Sequence, residues 1–497
     1  MGLSTIVMLV AVVTFALIGL TKVSRKAVDL EDYVVSRNQI SSAVALATVT
    51  ASALGAWILF SPAEAGSDPY FGGISAILGY CIGSATAVFV FVFVGPRLRQ
   101  IMPWGHSLNE YVRYRFANTS AGNNSWGRAM YLLTLAVMLL YMFVYLAAEL
   151  TAIAQALQII ADVPLVITAS VVIAAVFLYT AAGGLKATIL TDALQFVLIV
   201  PLLLICFGAT IVLLGGFDQA FAPVAEKLPA MLSLGNLPSL RFGATLIIAI
   251  IAAELFNQGN WQRVYACRDD QTVRRSFLGS SLVILPLLFL SGLLGLIAAG
   301  FELSGTTAFF DLLQTLNIPS WLPAAVVLLA VALVMSSLDT LLNGISAVFT
   351  VDLLRLSNQP EQVLLISRVL TIAVGGLAVA IASQGISVLY LFFVADLICA
   401  ALIVPIVFSL YNRYQTAANA FFSAIAGIII GILFFPKPDF SPLIAIPGGG
   451  DLLNSFASAL AVSSLITLVW HTIDKRFRNK SVVPFNYNNL QRVKPYS

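Results

Sequence analysis

The segment VTASALGAWILFSPAEAG, residues 49–66, is apolar enough for a membrane helix but contains two features that interrupt helices. Gly55 lies near its centre, and Ser61 is followed by Pro62. Glycine destabilises a helix interior, and proline removes a backbone donor. Glycine in membrane helices also permits close packing, which is the competing interpretation. The segment predicts a membrane helix that breaks at Gly55 and ends at Ser61-Pro62.

A second interruption is predicted in AELFNQGNWQR, residues 253–263. The polar residues Asn257 and Gln258 precede Gly259 at the end of an apolar run. Unwound backbone at membrane depth occurs where it is buried in protein or lines a cavity. A break and a close helix contact explain this glycine equally well.

The whole chain has the composition of a membrane protein, because 60% of its 497 residues are hydrophobic and only 10% are charged. A membrane helix needs roughly 20 mostly apolar residues. The runs of that length are apolar all round, unlike the alternating strands of a membrane barrel. We therefore expect an all-α membrane protein with about thirteen transmembrane helices. The thirteen runs cover residues 3–21, 41–61, 72–96, 129–158, 164–182, 188–216, 241–261, 276–300, 321–351, 364–383, 386–411, 415–435 and 452–471.

The basic residues predict the orientation in the inner, cytoplasmic membrane. Of the 26 basic residues, only Lys227, Arg241 and Lys437 fall in loops predicted to lie outside. Cytoplasmic loops carry the excess of Lys and Arg, so the N-terminus is expected outside and the C-terminus inside. The predicted inner set is Lys22 to Arg37, Arg97 to Arg128, Lys186, Arg263 to Arg275, Arg355, Arg368, Arg413 and the tail from Lys475 to Lys494.

Several function classes are disfavoured by what the sequence lacks. It has no HExxH or GxSxG motif and only two histidines, His106 and His471, so a membrane-embedded enzyme is not expected. It has no basic stripe of the kind that binds nucleic acid. The cysteines have no metal-ligand spacing and are expected to be small buried residues. They are Cys81, Cys206, Cys267 and Cys399.

The run count predicts two five-helix units of opposite orientation. Runs two to six and runs seven to eleven each contain five helices, and an odd number reverses the second unit. Inverted repeats of this kind are found in secondary transporters, which bind solute near the midplane on broken helices. The predicted organisation is residues 1–40 for the first helix and a cytoplasmic loop, 41–216 and 217–412 for the two units, and 413–497 for two accessory helices and a short tail.

Five carboxylates lie within the predicted helices, and no Lys or Arg is placed deep enough to neutralise them. A charged group at the bilayer centre costs at least about 2.5 kcal/mol, so these residues imply protonation, a watery cavity or a bound cation. The simplest alternative is a protonated carboxyl bonded to a neighbouring helix. The five are Glu149, Asp192, Glu254, Asp339 and Asp396.

The segment LVMSSLDTLLNGIS, residues 333–346, places oxygen-bearing side chains on consecutive helical turns. A single serine or threonine in a helix often bonds back to the preceding turn. Five polar residues within eight positions exceed that explanation and suit a hard cation such as sodium. These residues are Ser336, Ser337, Asp339, Thr340 and Asn343.

Four segments resemble the solute:sodium symporter family, which includes sodium/proline, sodium/sugar, pantothenate and urea transporters. They are DYVVSRNQIS at 32–41, YTAAGGLKATILTDALQ at 179–195, NQGNWQR at 257–263 and VMSSLDTLLNGIS at 334–346. The resemblance implies a leucine-transporter-like 5+5 core. The proline-transporting branch has an aspartate where this chain has Ala53, so proline is not the expected solute.

The resemblance also implies a sodium site between the first broken helix and the ninth run. Its ligands would be the carbonyls of Ala51, Leu54 and Leu333 and the hydroxyls of Ser336 and Ser337. Asp192, Asp339 and Thr340 would form a second cation site or govern sodium release. Substrate contacts are expected from Trp57, Asn257, Gln258 and Glu149, although a lone tryptophan more often packs against a neighbouring helix.

The sequence as a whole predicts sodium-coupled symport of a small solute, such as an amino acid, a carboxylate or urea, by alternating access. Sodium is the expected coupling ion. A proton-coupled symporter of the same fold is the nearest alternative, because intramembrane carboxylates also carry protons. A transporter-like sensor that acts through a partner protein is a further alternative. The expected partners are the solute and the lipid bilayer, with no nucleic acid, and a monomer is one of the oligomeric states left open.

Overall fold

The computed structural model describes residues 2–21, 30–119, 122–353, 359–477 and 484–493. Lys22, Arg25, Lys26, Arg355 and Lys494, which were assigned to the inner face, lie outside the described residues. The described chain is helical apart from two strands of two residues each, β1 Asn118–Thr119 and β2 Gly122–Asn123.

Eighteen α-helices are found within the described ranges. They are α1 Leu3–Leu20, α2 Leu30–Val34, α3 Ser42–Ala53, α4 Ser61–Ser67, α5 Ile74–Ile101, α6 Leu108–Val112, α7 Ser125–Ala161, α8 Leu165–Leu213, α9 Phe217–Lys227, α10 Leu237–Glu254, α11 Gln258–Ala266, α12 Asp270–Gly300, α13 Ala308–Thr315, α14 Trp321–Leu353, α15 Pro360–Ala382, α16 Val388–Tyr411, α17 Ala417–Phe434 and α18 Leu452–Phe477. Short 3-10 turns cover Ala56–Leu59, Pro229–Leu232 and Tyr487–Arg492, and a π-helical turn covers Arg113–Ala117.

Eleven of the described helices are long and apolar enough to cross a membrane, or twelve if α3 and the bent segment after it form one crossing. The chain is therefore a multi-pass membrane protein. The predicted count of thirteen is not confirmed, because the runs at 164–182 and 188–216 are continuous in the 49-residue α8, where they meet at a kink. Gly184 has non-helical angles inside α8, with φ 56° and ψ −150°. Glycine adopts positive φ without steric cost, so the chain kinks there without leaving the helix for a loop.

The first predicted break is confirmed. Helix α3 ends at Ala53, and the helical segment that begins at Ala56 is bent by 56° relative to α3. The prediction that Ser61-Pro62 ends this helix is wrong, because these residues begin α4. Proline is tolerated in the first helical turn, where its missing N–H would have no intrahelical partner.

The second predicted break is also present. Helix α10 ends at Glu254 and α11 begins at Gln258. The side chain of Asn257 accepts a hydrogen bond from the backbone N–H of Gly259 at 3.0 Å. Asparagine at this position satisfies one of the free N–H groups of the new helix, so the polar residues start α11 as well as ending α10.

Helix α14 lies at the centre of the bundle. Residues 329–348 of this helix are all buried, and α14 packs against α1, α3, α7, α8, α11 and α15. Helix α15 lies at the periphery, where Leu365, Val369 and Ile372 form one exposed apolar stripe. Exposed apolar stripes of this kind suit contact with lipid. The polar segment of α14 is thereby held in the protein interior, facing the helices that carry the first break.

Candidate functional site

A cavity lies beside the two breaks. It includes Ala53 at the end of α3, Trp57 just after the first break and Glu254 just before the second. Helices α5, α7, α12 and α16 complete the wall. The cavity volume is about 40 Å³, which is room for a few waters in this conformation. The lining residues are Ala53, Trp57, Tyr80, Ser84, Val88, Tyr141, Tyr145, Leu246, Ile250, Ala253, Glu254, Ile284, Leu389, Phe392, Phe393 and Asp396.

Aromatic side chains from four elements form one side of this cavity. The ring of Trp57 stacks on Tyr80 with centroids 5.5 Å apart and meets Phe392 edge-on at 6.0 Å. Its indole Nε1 donates a hydrogen bond to the hydroxyl of Tyr145 at 3.0 Å. Tyr145 also contacts Phe392 edge-on at 5.1 Å. These contacts fix the orientation of Trp57, which the sequence predicts to contact substrate.

Two carboxylates line the same cavity. Glu254 accepts hydrogen bonds from the Tyr141 hydroxyl at 3.2 Å and from Nδ2 of Asn260 at 2.7 Å, with Nδ2 of Asn257 at 3.4 Å. Asp396, on α16, is 5% exposed, and its Oδ1 has no hydrogen-bonding partner among the described residues. No lysine, arginine or histidine is among the described residues that line the cavity. The cavity is therefore acidic and aromatic.

Glu149 lies behind the first break and is not part of the cavity wall. Its Oε2 accepts a hydrogen bond from the backbone N–H of Ala56 at 2.8 Å. A carboxylate at a helix N-terminus satisfies a free backbone donor and interacts well with the helix dipole. A Cβ at position 55 would lie 1.6 Å from Oε1 of Glu149, so only glycine allows this approach. The structure thus brings Glu149 to the break from α7.

Asn257 and Gln258, predicted to contact substrate, also lie outside the cavity wall. Asn257 starts α11 and contacts Glu254, so it reaches the cavity through that carboxylate. Gln258 is fully buried and donates to the carbonyl of His106 at 2.6 Å. Of the four predicted substrate residues, Trp57 alone lines the cavity.

The five predicted sodium ligands lie in the buried contact between α3 and α14. Ala51, Leu54 and Leu333 are fully buried, as are the two serines to within 1%. The Ser336 hydroxyl donates to Oδ1 of Asp192 at 2.7 Å, and the Ser337 hydroxyl donates to the Leu333 carbonyl at 3.2 Å. Hydroxyl and carbonyl oxygens are suitable ligands for a hard cation. Both hydroxyls would have to turn from these acceptors to bind an ion.

Asp192, Asp339 and Thr340 belong to a hydrogen-bonded network that contains an arginine. Nη2 of Arg263 lies 2.6 Å from Oδ2 of Asp192 and 2.6 Å from the Thr340 hydroxyl. Asp192 also accepts a short hydrogen bond from Thr48. The expectation that no basic residue lies deep among the helices is therefore wrong. Arg263 was assigned to an inner loop, but α11 carries it into the interior, where it is fully buried.

Asp339 is held next to this ion pair by neutral donors. The hydroxyls of Tyr179 and Thr191 each donate to its Oδ2 at 2.8 Å. Thr340 lies between the two carboxylates, since its hydroxyl is 3.4 Å from Oδ1 of Asp339. The structure thus brings the three residues of the predicted second site together around Arg263.

A titratable cluster lies outside the membrane-spanning helices. His106 Nε2 is 2.7 Å from Glu31, and Nδ1 is 3.1 Å from Glu110. Burial alone would lower the pKa of His106, but the charges and hydrogen bonds of the two carboxylates outweigh it and raise the pKa to about 8. Arg37 also pairs with Glu31 at 2.5 Å. This cluster joins the α5–α6 connection to α2.

The sequence left most of the cavity wall unidentified. Tyr80, Tyr141, Tyr145 and Phe392 are single aromatic residues in apolar runs, and no spacing within a run distinguishes them from residues that face lipid. Asp396 and Glu254 were recognisable as intramembrane carboxylates, but their shared cavity depends on how α10 and α16 pack. The four cysteines are free and buried, as predicted.

Comparison with known proteins identifies relatives that transport small solutes. A spermidine transporter of Candida albicans is 26% identical over 397 residues, covering 78% of this chain and 71% of that protein. A urea-proton symporter of Oryza sativa subsp. japonica is 24% identical, covering 72% and 54% respectively. A sodium/mannose cotransporter of Bos taurus is 26% identical, covering 61% and 58%. The chain thus spans less than two thirds of the rice and bovine proteins.

Solved structures show the same fold. A sodium-coupled sialic acid symporter in a substrate-bound, outward-open state superposes with a TM-score of 0.74 at 17% identity, covering 95% of this chain and 98% of that chain. A nucleobase-cation-symport-1 family transporter in a closed conformation gives 0.53 at 13% identity, covering 92% and 99%. Both have the leucine-transporter-like fold that the sequence predicts.

The sodium:solute symporter family model matches residues 33–427, which include both broken helices, the cavity wall and the polar segment of α14. This match spans more than half of the chain. The protein is therefore a member of the sodium:solute symporter family.

Proposed function

We propose that the protein is a secondary active transporter that couples inward movement of a small organic solute to sodium by alternating access. The observation that carries this proposal is the arrangement of both breaks at one cavity, with α14, which carries Ser336 and Ser337, packed against α3 and the turn that follows the first break. Broken helices supply free backbone groups at membrane depth, which is where transporters of this architecture bind solutes and ions. Family membership supports the same interpretation.

In this proposal α8 crosses the membrane twice, on either side of Gly184. At about 1.5 Å per residue, its 49 residues are far longer than a hydrocarbon core of about 30 Å. Two crossings give thirteen in total, with the N-terminus outside and the C-terminus inside. The units 41–216 and 217–412 are then inverted relative to each other, and each begins with a broken helix.

Sodium would bind where α3 ends against α14. Ala51, Leu54 and Leu333 would provide carbonyl oxygens, and Ser336 and Ser337 would provide hydroxyls. Because Ser336 also bonds to Asp192, ion binding would alter the Asp192–Arg263 pair and Thr340. Asp192, Asp339 and Thr340 would in this way govern ion release. Trp57 would contact the solute directly, whereas Glu149, Asn257 and Gln258 would hold the two breaks in place.

Proton coupling is the second candidate, and Glu149 favours it. This carboxylate is fully buried at the first break, and its Oε1 accepts no hydrogen bond from the described residues. A carboxyl in this position could carry a proton between the two faces. The rice relative is described as a urea-proton symporter.

Uptake into proteoliposomes distinguishes the two. A labelled panel of amines, amino acids, short carboxylates, sugars and urea is offered with an inward sodium gradient, an inward proton gradient or neither. We expect uptake to require sodium, and Ser336→Ala with Ser337→Ala to raise the sodium concentration for half-maximal uptake about tenfold or more, the equivalent of one lost ligand or more.

Ser346→Ala is the matched control. Ser346 is a buried serine on the same helix, but its hydroxyl is paired with Ser367. The sodium concentration for half-maximal uptake by Ser346→Ala should stay within about twofold of that of the unmodified protein, which corresponds to less than about 0.5 kcal/mol. Uptake that follows the proton gradient and ignores sodium would contradict sodium coupling and favour Glu149 as a proton carrier.

A further inference from the structure

We propose that the cavity binds an aliphatic amine or diamine in its protonated form, with Glu254 and Asp396 as the counter-ions of its ammonium groups. This inference rests on the proposed function, because it names the solute class for the same transporter. Three features of the cavity support it: its negative charge, the unpartnered Oδ1 of Asp396 and its aromatic wall.

The cavity is lined by acidic residues that no basic residue of the described wall neutralises. Two carboxylates line one cavity, and no described basic side chain lines it with them. Arg263, the buried arginine nearest in sequence to Glu254, is not available to neutralise the cavity because it is already bonded to the Asp192 network. Its Nε donates to Thr48, its Nη1 to the Gly259 carbonyl and its Nη2 to Asp192 and Thr340. The protein therefore supplies no cation to this cavity, and a positively charged solute would neutralise its carboxylates.

The second step concerns hydrogen bonding. The carboxylate of Glu254 is held by Tyr141, Asn257 and Asn260, which are all neutral donors. Neutral donors orient the carboxylate without cancelling its charge. Oδ1 of Asp396 has no partner among the described residues, although Asp396 is 95% buried. An unpartnered buried acceptor is costly, and an ammonium group that offers three N–H donors would satisfy it.

The third step concerns the aromatic wall. Trp57, Tyr80, Tyr141, Tyr145 and Phe392 line the same space as the carboxylates. Aromatic faces attract ammonium groups through their quadrupole, and Trp gives the strongest interaction. Because Trp57 is fixed by Tyr80 and Tyr145, its ring does not have to reorganise to receive a cation.

The apolar part of the cavity wall suits the alkyl chain that would join the two ammonium groups of a diamine. Leu246, Ile250, Ile284 and Leu389 also line the cavity and offer no hydrogen bonds, and the Ser84 hydroxyl is the one neutral aliphatic polar group among the described lining residues. Methylene groups gain free energy on such a surface, at roughly 0.8 kcal/mol per buried group. The hydroxyl groups of a sugar that faced these four apolar side chains would be left without partners. The combination of two acids, aromatic rings and an apolar wall therefore favours an alkyl chain with one or two ammonium ends.

The test uses the full chain in proteoliposomes with an inward sodium gradient and labelled 1,4-diaminobutane. Uncharged 1,4-butanediol, which has the same spacer, is the matched competitor. We expect sodium-driven uptake of the diamine that excess unlabelled diamine inhibits and the diol does not. Glu254→Gln and Asp396→Asn should each reduce uptake at least about tenfold at low diamine concentration, because each removes a counter-ion.

Glu64→Gln is the matched control variant. Glu64 is also a buried membrane carboxylate, but it accepts from Ser387 and does not line the cavity. Uptake of 1,4-diaminobutane by Glu64→Gln should stay within about twofold of that by the unmodified protein. Stabilisation of each purified variant by 1,4-diaminobutane in a thermal melt gives a second readout that does not require transport. If Glu254→Gln does not fold, Asp396→Asn alone carries the test.

Two failures are distinguishable. Sodium-driven uptake of another solute, unaffected by the diamine and by both substitutions, would overturn the amine assignment and leave the proposed symport intact. Absence of sodium-driven uptake for every solute in the panel, in protein that still binds the diamine, would overturn the proposed function instead. Diamine uptake that the diol inhibits equally would show that the spacer, not the charge, is recognised, and would also overturn the proposal.

Discussion

Asp192 and Asp396 are both buried aspartates on membrane helices, but the protein treats them differently. Asp192 accepts from Arg263, Thr48 and Ser336, so both of its oxygens are occupied and an arginine neutralises it. Asp396 lines a cavity, and none of the described residues in the cavity wall is basic. Oδ1 of Asp396 has no hydrogen-bonding partner among the described residues. The comparison teaches that a buried membrane carboxylate is not by itself a sign of a ligand, because the protein supplies the cation for Asp192 itself.

The largest effect should come from breaking the internal pair. Arg263→Met leaves Asp192 buried without a cation, and removal of one partner from a buried pair costs about 3–5 kcal/mol. We expect a large loss of monodisperse protein and of thermal stability in detergent. The double variant Arg263→Gln with Asp192→Asn should recover much of this loss, because it leaves no uncompensated charge.

Asp396→Asn provides the contrast in the same assay. The substitution removes a charge that has no partner in the described structure, so the thermal stability of the ligand-free protein should be unchanged or raised. A destabilisation by Asp396→Asn as large as that by Arg263→Met would remove the distinction between the two regions.

A smaller effect is expected at His106, where the protein again pairs carboxylates internally but outside the membrane helices. The folded pKa of about 8 lies above the ordinary 6.5, so this group contributes stability that is fully present below about pH 6.5 and is lost as the pH rises through about 8. The contribution amounts to about 2 kcal/mol. The melting temperature of the protein in detergent should therefore decrease as the pH is raised from 7 to 9.

His106→Gln is the control for that pH dependence. Glutamine can still donate a hydrogen bond to Glu31 or Glu110 but does not titrate. The variant should be less stable than the unmodified protein at pH 6, and the gap should narrow by pH 9. An unchanged gap across this range would show that the charge of His106 does not hold the cluster together.

Local features of the sequence predicted the architecture well. The apolar runs identified the membrane helices, and Gly55 and Asn257 identified both breaks, because a break depends on residues within a few positions of one another. The same locality explains one error. Ser61-Pro62 was expected to end a helix, but proline is equally suited to begin one. The two runs expected on either side of Lys186 meet at a kink at Gly184 within α8, a junction that the local sequence did not predict.

Features that depend on packing could not be predicted from local sequence. Arg263 lies in the last turn of the short helix α11, and only the orientation of that helix shows that its side chain points to Asp192 and not to a loop. Tyr145 on α7 contacts Trp57 and Phe392, which come from distant parts of the chain, and Tyr141 lines the same cavity. Glu149 was a candidate for substrate contact because it is a membrane carboxylate, yet its partner is the backbone of Ala56.

In the proposed transport cycle, sodium at the first break and the solute in the adjacent cavity stabilise the same state of the protein. The most direct test measures the affinity of the purified full chain for 1,4-diaminobutane at increasing sodium, and for sodium at increasing diamine, with potassium keeping the ionic strength constant. The account predicts that each ligand raises the affinity for the other by the same factor, about tenfold or more. Diamine affinity that does not change with sodium would contradict it.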